Sequence, residues 1–323
     1  MSKAIRLHAF GGPEVLKWEQ VPTPQPGPQD ALIRHEAVGL NFIDTYFRTG
    51  LYKTPLPTTL GMEGAGVVLA VGDQVTTVAP GDRVAYAGGA LGAYATERVI
   101  NADKLVKLPD EIDFKTAACM MLQGLTAYFL LHRTFKVQPG QTILVHAAAG
   151  GVGSLLCQWA KHLGVEVIGV VSTPAKAEIA RANGAAHVVV GYETLPAEVR
   201  RITKGAMVPV VYDGVGRDSF NTSLDCLAKL GLMVSFGNAS GPVPPVELST
   251  LNAKGGLFLT RPGLATYMAT REELLTGADA LFQVVCSGAV KIHVNQSFAL
   301  ADATAAHQAL EARLTTGSTV LLP

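Results

Sequence analysis

Residues 142–160 read TILVHAAAGGVGSLLCQWA, and this stretch decides the fold class of the chain. An apolar run typical of a buried strand is followed by a turn of small residues and then by an apolar-rich helix. The turn has the spacing Ala148-x-Gly150-x-x-Gly153, a dinucleotide-binding pattern with alanine in place of its first glycine. Small residues also gather wherever a helix crosses a strand closely, so the interpretation depends on the segments that follow.

Those segments alternate between strand and helix. A strand at 165–171, a helix at 174–183 closed by Gly184 and a strand at 186–190 follow the turn. This order predicts an α/β domain with a doubly wound parallel sheet, in which a pyrophosphate lies at the helix N-terminus after the first strand. The residues predicted to hold the pyrophosphate are Gly150, Gly151, Val152 and Gly153.

The end of the second strand indicates which dinucleotide is bound. NAD-binding domains carry an acidic residue about 20 positions after the glycines, where it accepts hydrogen bonds from a ribose hydroxyl. This chain instead has Ser172, Thr173 and Lys176, which supply donors and positive charge for a 2′-phosphate. We therefore predict NADPH as the cofactor. The alternative for Lys176 is a solvated lysine, although a cation in a first helical turn is disfavoured by the helix dipole.

Composition favours a two-domain soluble protein. The chain has 323 residues, more than one hydrophobic core usually supports, and 48% of them are hydrophobic. Lys plus Arg equals Asp plus Glu at 26 each, so no basic surface for nucleic acid or acidic membrane is expected. We find no signal peptide and expect no apolar run of the roughly 18 residues that cross a bilayer, which predicts a cytoplasmic protein.

The four cysteines are far apart, with no C-x-x-C pair, and are predicted to be small buried hydrophobic residues without disulfide or zinc roles. They are Cys119, Cys157, Cys226 and Cys286. The histidines show no metal-binding spacing either, and His146 is predicted to be a hydrogen-bonded core residue.

The first part of the chain, to about residue 118, consists of short predicted strands separated by Gly- and Pro-rich turns. It contains GLNFIDTY at 39–46, LGMEGAG at 60–66, APGDRV at 79–84 and LGAYA at 91–95. With the AAGGVG turn at 148–153, these motifs resemble those of the zinc-free NADPH:quinone oxidoreductases related to zeta-crystallin. That family belongs to the medium-chain dehydrogenase/reductase superfamily, and the resemblance covers essentially the whole chain.

The resemblance implies a GroES-like, β-rich catalytic domain at 1–122, completed by 263–323, and a Rossmann NADPH-binding domain at 123–262. It also implies transfer of a hydride from NADPH to a quinone in the cleft between them. In related zinc-dependent alcohol dehydrogenases a cysteine and a histidine bind catalytic zinc where this chain has Asn41 and Met62, which are not usual zinc ligands. No metal is therefore expected, and Glu63 is predicted to be a hydrogen-bonded structural carboxylate.

For the substrate pocket, Asn41, Tyr46 and Tyr52 are our candidates, with packing and turn roles as the alternative. Asp44 is predicted to cap the turn that follows it. A long helix is expected to begin at Cys119, and the resemblance places Gln123 and Thr126 near the nicotinamide. The alternative for Gln123 is a polar side chain that faces solvent at the helix start.

The resemblance assigns further residues to the cofactor. Tyr192 and Arg313 would lie beside the 2′-phosphate, although a half-buried tyrosine at a strand end and an arginine in a last helical turn need no ligand. A strand around 256–261 would pair across a homodimer, which would also cover an apolar edge. The residues implied along the nicotinamide half are Phe236, Gly237 and Asn238, and Phe258 and Thr260 are also expected to bind the cofactor.

Two other functions stay open at this point. A 2-alkenal or enone reductase shares the fold, the cofactor and the hydride step. The other is a non-enzymatic NADPH- or RNA-binding protein, since some relatives of zeta-crystallin accumulate as lens protein or bind AU-rich RNA. The balanced charge disfavours RNA.

Overall fold

The structure is a computed structural model that describes residues 1–323. The chain forms two compact units. The first unit comprises Met1–Leu125, Met268–Cys286 and Ile292–Pro323, and the second comprises Thr126–Tyr267 and Ser287–Lys291.

The first unit opens with eight strands and two helices. The strands are β1 (Ser2–Leu7), β2 (Leu16–Val21), β3 (Asp30–Leu40), β4 (Thr58–Thr59), β5 (Glu63–Val71), β6 (Arg83–Ala87), β7 (Glu97–Asn101) and β8 (Val106–Lys107). The helices are α1 (Phe42–Thr49) and α2 (Phe114–Phe129). The last four residues of α2, and the π-helical turn Leu130–Thr134 that continues it, belong to the second unit.

Helix α2 begins at Phe114, and the prediction that it begins at Cys119 is wrong. The cause is Asp113, whose carboxylate accepts the backbone N–H groups of Lys115 at 2.9 Å and Thr116 at 3.0 Å. Such side-chain capping satisfies N–H groups that have no partner within the helix.

The stretch Phe114–Thr134 is long and apolar enough to cross a membrane, so the expectation that no such run exists is also wrong. However, 72% of its most apolar window is buried inside the protein. The core helices of soluble proteins show this same combination of length, composition and burial.

The second unit contains six strands and six helices. The strands are β9 (Thr142–His146), β10 (Glu166–Val171), β11 (His187–Val190), β12 (Val208–Asp213), β13 (Leu227–Ser235) and β14 (Phe258–Thr260). The helices are α3 (Gly151–His162), α4 (Pro174–Ala182), α5 (Leu195–Ile202), α6 (Phe220–Asp225), α7 (Leu248–Ala253) and α8 (Leu264–Tyr267).

All six strands of the second unit run parallel, in the order β11-β10-β9-β12-β13-β14. The strand order reverses beside β9, because β10 and β11 lie on one side and β12 to β14 on the other. This is the doubly wound order, and the predicted fold class is confirmed. The apolar core includes Leu144, Ile168, Val211 and Met233, which come from four of the strands.

The chain then returns to the first unit through α9 (Arg271–Cys286), β15 (Val294–Ala299), α10 (Ala303–Glu311) and β16 (Ser318–Leu322). Strands β15 and β16 complete a seven-stranded sheet with the order β15-β16-β3-β5-β6-β8, in which β7 also pairs with β3. A separate three-stranded sheet has the order β2-β1-β4.

Three of the four cysteines are buried, as predicted, but Cys286 is exposed. It is the last residue of α9, and the residues Ser287 and Gly288 that follow it are exposed as well. The prediction of a buried side chain is therefore wrong for Cys286.

Candidate functional site

The turn between β9 and α3 brings backbone atoms unusually close together. A Cβ atom added to Gly153 would lie 2.2 Å from the carbonyl oxygen of Ala147, so only glycine fits. Ala147 itself adopts a left-handed conformation with φ of 50°, and its carbonyl accepts the N–H of Gly150 at 2.8 Å. Ala148 contacts the backbone of Gly169 on β10, where a Cβ would come within 2.9 Å of the Ala148 methyl group. The turn is therefore tightly packed against the sheet.

This turn offers unpaired donors to an anion. Gly150 precedes α3 in an extended conformation, and the N–H of Ser154 donates to its carbonyl at 2.8 Å as the first bond of the helix. The N–H groups of the three residues before Ser154 therefore have no partner within the helix. The Ser154 hydroxyl is also buried without a hydrogen-bond partner. The helix dipole adds to these donors, so the turn fits a phosphate group.

The residues predicted for the 2′-phosphate follow β10. Ser172 and Thr173 are exposed, and the Thr173 hydroxyl oxygen caps α4 by accepting the N–H of Lys176 at 3.3 Å. The N–H of Gly191 donates to the Val171 carbonyl at 2.9 Å, which brings the end of β11 beside the end of β10.

Two further residues predicted for the 2′-phosphate lie in different units. Tyr192 follows Gly191 in the second unit, is half-buried, and its ring centroid lies 5.7 Å from that of His146. Arg313 belongs to the first unit, where it is exposed with φ of 59° just after the end of α10.

The loop after β13 is held close to the turn after β12. A Cβ at Gly237 would lie 2.3 Å from the Gly214 carbonyl oxygen, and one at Gly214 would lie 3.0 Å from the Phe236 ring. Arg261 donates from Nη1 to the carbonyls of Ser235 at 2.8 Å and Gly237 at 3.1 Å. These bonds fix the loop through Asn238, which was predicted to follow the nicotinamide.

The remaining residues predicted to bind the cofactor, Phe258, Thr260 and Thr126, differ in exposure to solvent. On the edge strand β14, Phe258 is 61% exposed and Thr260 is half-buried. Thr126 is buried and lies one turn after Gln123 in α2.

His146 and Asp213 lie at the ends of neighbouring strands. Asp213 is fully buried, and its carboxylate accepts the hydroxyls of Ser219 and Ser223 at 2.7 and 2.9 Å. It also accepts the N–H of Val215 at 2.8 Å, so it holds the turn after β12. The Nε2 atom of His146 bonds Ser223 at 2.8 Å, but its Nδ1 atom is buried without a partner. The prediction of a fully hydrogen-bonded core histidine is therefore wrong for one ring nitrogen.

In the first unit, four buried side chains form one continuous hydrogen-bonded chain. The Ser318 hydroxyl donates to Gln123 Oε1 at 2.9 Å, and Gln123 Nε2 donates to Asn41 Oδ1 at 3.1 Å. Asn41 Nδ2 in turn donates to Glu63 Oε1, while the N–H of Leu122 donates to Glu63 Oε2 at 2.7 Å. Gln123 is 6% exposed and lies well inside α2, so the alternative of a solvent-facing helix start is wrong.

Two buried carboxyl groups flank Asn41. Burial raises the pKa of Glu63 to about 8, against the opposing effect of its bonds from Asn41 and Leu122. Burial also raises the pKa of Asp44 to about 7. Asp44 accepts the backbone N–H of Asn41 at 2.9 Å and the Tyr94 hydroxyl at 3.1 Å. It therefore caps the start of α1, on the side before it, and the prediction that it caps the turn that follows it is wrong.

The two predicted pocket tyrosines are in contact. The rings of Tyr46 and Tyr52 meet edge to face with centroids 5.3 Å apart, and the Tyr52 N–H donates to the Tyr46 carbonyl at 3.0 Å. Phe42 and Phe47 pack on the same pair, with centroids 5.9 Å from Tyr46 and 5.6 Å from Tyr52. The aromatic group thus lies on and just after α1, the helix that Asn41 begins.

Neither Ser318 nor the buried charged network that joins Arg48 on α1 to His307 and Glu311 on α10 was predicted from the sequence. The Arg48 guanidinium is buried and bonds Glu311 at 2.6 Å and His307 Nδ1 at 3.1 Å. His307 Nε2 in turn lies 3.0 Å from the Tyr94 hydroxyl. No local pattern signals these contacts, since they join residues more than 200 positions apart in sequence. The structure contains no group of three or more His, Cys, Asp or Glu side chains arranged to hold a metal ion.

Comparison with known proteins finds a matching family model for each of the two units. Residues 27–110 match the model of the alcohol dehydrogenase GroES-like domain, and residues 151–262 match the model described as zinc-binding dehydrogenase. A quinone oxidoreductase from Pseudomonas aeruginosa is 54% identical over 325 residues, with 100% of both chains covered.

Two further relatives bear on chemistry. The crystal structure of Escherichia coli quinone oxidoreductase complexed with NADPH is 48% identical, with a TM-score of 0.98 and 100% of both chains covered. A 2-haloacrylate reductase from a Burkholderia species is 44% identical over 333 residues, covering 100% of this chain and 99% of that protein.

Proposed function

The chain belongs to the quinone oxidoreductase family of the medium-chain dehydrogenase/reductase superfamily, and we propose on that basis that it reduces quinones with NADPH. The observation that carries the proposal is the tight turn between β9 and α3, at the point where the strand order of the parallel sheet reverses. Ligands of open α/β sheets bind at such switch points. The full-length similarity to quinone oxidoreductases, one of them complexed with NADPH, agrees with this cofactor.

The second unit holds the cofactor. The N–H groups at the start of α3 bind the pyrophosphate, and the hydroxyls and cation after β10 bind the 2′-phosphate, with Tyr192 beside it. Arg313 of the first unit is a further candidate for the 2′-phosphate. Bound NADPH supplies the hydride. The pyrophosphate residues are Gly150, Gly151, Val152 and Gly153, and the 2′-phosphate residues are Ser172, Thr173 and Lys176. The residues along the nicotinamide half are Thr126, Phe236, Gly237 and Asn238, and Phe258 and Thr260 are further residues proposed to bind the cofactor.

The first unit supplies the acceptor pocket. Tyr46 and Tyr52 offer flat apolar faces with polar tips, which suit a planar quinone ring. The Asn41 amide, positioned by Gln123 and Glu63, donates a hydrogen bond to the oxygen on which negative charge develops. A quinone needs only such a donor, so the reaction proceeds without zinc.

We also propose a role for each domain and a dimeric assembly. Residues 1–122 with 263–323 form the catalytic domain, and residues 123–262 form the cofactor domain. The protein is a cytoplasmic homodimer that pairs through β14. The exposed fractions of Phe258 and Leu259 on this edge strand, 61% and 38%, support that pairing, because an uncovered apolar edge promotes aggregation.

The test is NADPH oxidation, followed by absorbance, with a benzoquinone, a naphthoquinone and an enal, each with and without a chelator. Chelator-insensitive turnover with higher kcat/KM for quinones is the expected result. The Tyr52→Phe variant should keep turnover within a few-fold, whereas Tyr52→Ala should raise the quinone KM because it removes a ring face. NADPH binding without turnover of any acceptor would contradict the proposal.

Reduction of an activated carbon–carbon double bond is the second candidate. The 44% identity to a 2-haloacrylate reductase favours it, since that relative is named for an alkene substrate. A clear preference for the enal in the same assay would assign this activity instead.

A further inference from the structure

The buried chain from Ser318 to Glu63 has a single direction. Each group donates to the next, from the Ser318 hydroxyl through Gln123 and Asn41 to the Glu63 carboxylate. A carboxylate only accepts hydrogen bonds, so an ionised Glu63 requires every donor in the chain to point toward it.

The same atoms also allow the opposite direction. The Leu122 N–H donates to Glu63 Oε2, and a proton on the other carboxyl oxygen, Oε1, faces Asn41. The Asn41 amide then satisfies this donor only by turning its oxygen toward Glu63 and its nitrogen toward Gln123. Gln123 turns likewise and donates to Ser318, whose hydroxyl lies 3.3 Å from the Cys119 carbonyl and donates there. Both directions leave every buried group with a partner, as a buried polar network requires.

We propose that Glu63 is a positioning residue for the reaction, because its proton sets the direction of the chain and so the orientation of the Asn41 amide. The proposal rests on the proposed function in one respect, namely that Asn41 faces the acceptor. With Glu63 ionised, one Asn41 N–H is bound to Glu63 and the other is directed to the acceptor oxygen. With Glu63 protonated, the amide is turned and this donor is misplaced.

The surroundings of Glu63 contain no direct cationic partner that would fix its charge. The ionisable groups that face it are carboxyl, phenol and thiol groups. Arg98 interacts electrostatically with Tyr86, and Arg48 with Tyr94. Burial and the neighbouring Asp44 carboxyl both raise the pKa of Glu63, to about 8. The group is therefore protonated below this pH and ionised above it. The facing groups are Asp44 on α1, Tyr86 on β6, Tyr94 in the following loop and Cys119 on α2, with Arg98 and His35 beside Tyr86, and Arg48 and His307 beyond Tyr94.

The first experiment compares the pH profiles of kcat/KM for a quinone in wild type and Glu63→Gln. The amide introduced by this substitution would accept from Leu122 through its oxygen and donate to Asn41, so the variant fixes the turned orientation without leaving an unpaired group. Wild-type kcat/KM should rise with pH through a limb near the Glu63 pKa. The variant should lack the limb and stay about 100-fold below the alkaline wild-type value, a usual cost of losing one oxyanion donor. Persistence of the wild-type limb in Glu63→Gln would overturn the proposal.

Asp44→Asn is the matched control, because Asp44 is the other buried carboxyl beside Asn41. This variant should retain the limb, moved to lower pH because the charge that raises the Glu63 pKa is gone. Complete loss of the limb in Asp44→Asn, with retention in Glu63→Gln, would assign it to Asp44 and overturn the proposal.

A measurement without substrate separates the chain from the proposed function. In protein labelled with ¹⁵N-asparagine, the Asn41 side-chain amide signal, assigned by its absence in Asn41→Ala, should shift with pH through the same midpoint. An unshifted signal would overturn the reversible chain, whether or not quinones are reduced. A shifting signal with pH-independent quinone turnover would overturn the role of Glu63 in the reaction. Absence of quinone turnover in wild type at every pH would instead refute the proposed function.

Discussion

Adding one methyl group at Gly153 tests whether the packing of the turn controls cofactor binding. In Gly153→Ala the new Cβ would lie 2.2 Å from the Ala147 carbonyl oxygen and 2.9 Å from the Ala148 Cα. Both neighbours are backbone atoms, so no side chain can move aside. The start of α3 and the turn must separate by about 1 Å to reach ordinary contact distance.

This separation sets the expected magnitude. Inserting a methyl group into a closely packed site costs about 1 to 3 kcal/mol, because the backbone must shift. The same shift moves the N–H groups at the start of α3, which we propose bind the pyrophosphate. We therefore expect the free energy of unfolding to fall by about 1 to 3 kcal/mol. The displaced N–H donors should separately raise the Kd for NADPH about 10- to 150-fold, which corresponds to the loss of about one hydrogen bond to a charged group. The measurement is a fluorescence titration with NADPH, accompanied by urea unfolding of the protein without cofactor.

Two other glycines provide controls. At Gly150 a Cβ would meet the Ala147 oxygen at 3.2 Å, so Gly150→Ala should lower NADPH affinity by crowding the phosphate while the unfolding midpoint changes little. At Gly263 no atom lies within 4 Å of a Cβ, so Gly263→Ala should bind NADPH as wild type does. If Gly153→Ala kept both wild-type affinity and the wild-type unfolding midpoint, the reasoning about the turn would be refuted.

Three further predictions concern charge. Lys176→Ala should weaken NADPH binding by about 1.5 to 3 kcal/mol and leave NADH binding nearly unchanged, measured by titration; equal losses would contradict the 2′-phosphate role. Glu311→Gln should lower the free energy of unfolding, measured in urea, by about 2 to 4 kcal/mol, because it removes the carboxylate paired with the buried Arg48. The control, Glu198→Gln in the exposed pair with Arg201, should change it by less than about 1 kcal/mol. Burial lowers the pKa of His35 from 6.5 to about 4, so between these pH values the unfolded chain binds a proton that the folded protein does not, and the free energy of unfolding falls as pH falls. His35→Asn should reduce the slope of the free energy of unfolding against pH by up to about 1.4 kcal/mol per pH unit. An unchanged slope would exclude His35 as the cause.

The parallel-sheet unit was predictable because its signals are local. The spacing of Ala148, Gly150 and Gly153 predicted the turn, and the alternation of apolar runs after it predicted the strands and helices. Gly153 shows the physical reason directly, since only glycine fits against the Ala147 carbonyl. The start of α2 is also encoded locally, by the capping residue Asp113, which the prediction of a start at Cys119 did not take into account.

The polar chain of the first unit was not predictable in this way. Asn41 and Glu63 are 22 positions apart, and Gln123 and Ser318 are 195 apart. Their contacts depend on the register of β3, β5 and β16, which tertiary packing fixes and no short motif encodes. The exposure of Cys286 was not predictable from residue type either. Cysteine is usually buried, but Cys286 is the last residue of α9, where its side chain is exposed.

The position of β16 constrains how the protein is made on the ribosome. This strand lies inside the larger sheet of the first unit, where Thr319, Val320 and Leu321 pair with Leu40, Gly39 and Val38 of β3. Until residue 322 has been synthesised and released, β3 therefore presents an apolar, unpaired edge, the kind of surface on which nascent chains associate. The second unit lies almost wholly within residues 126–267, so its sheet can form before β16 is synthesised. Vectorial synthesis thus allows the second unit to fold early, whereas the larger sheet of the first unit is completed only after β16 has been made.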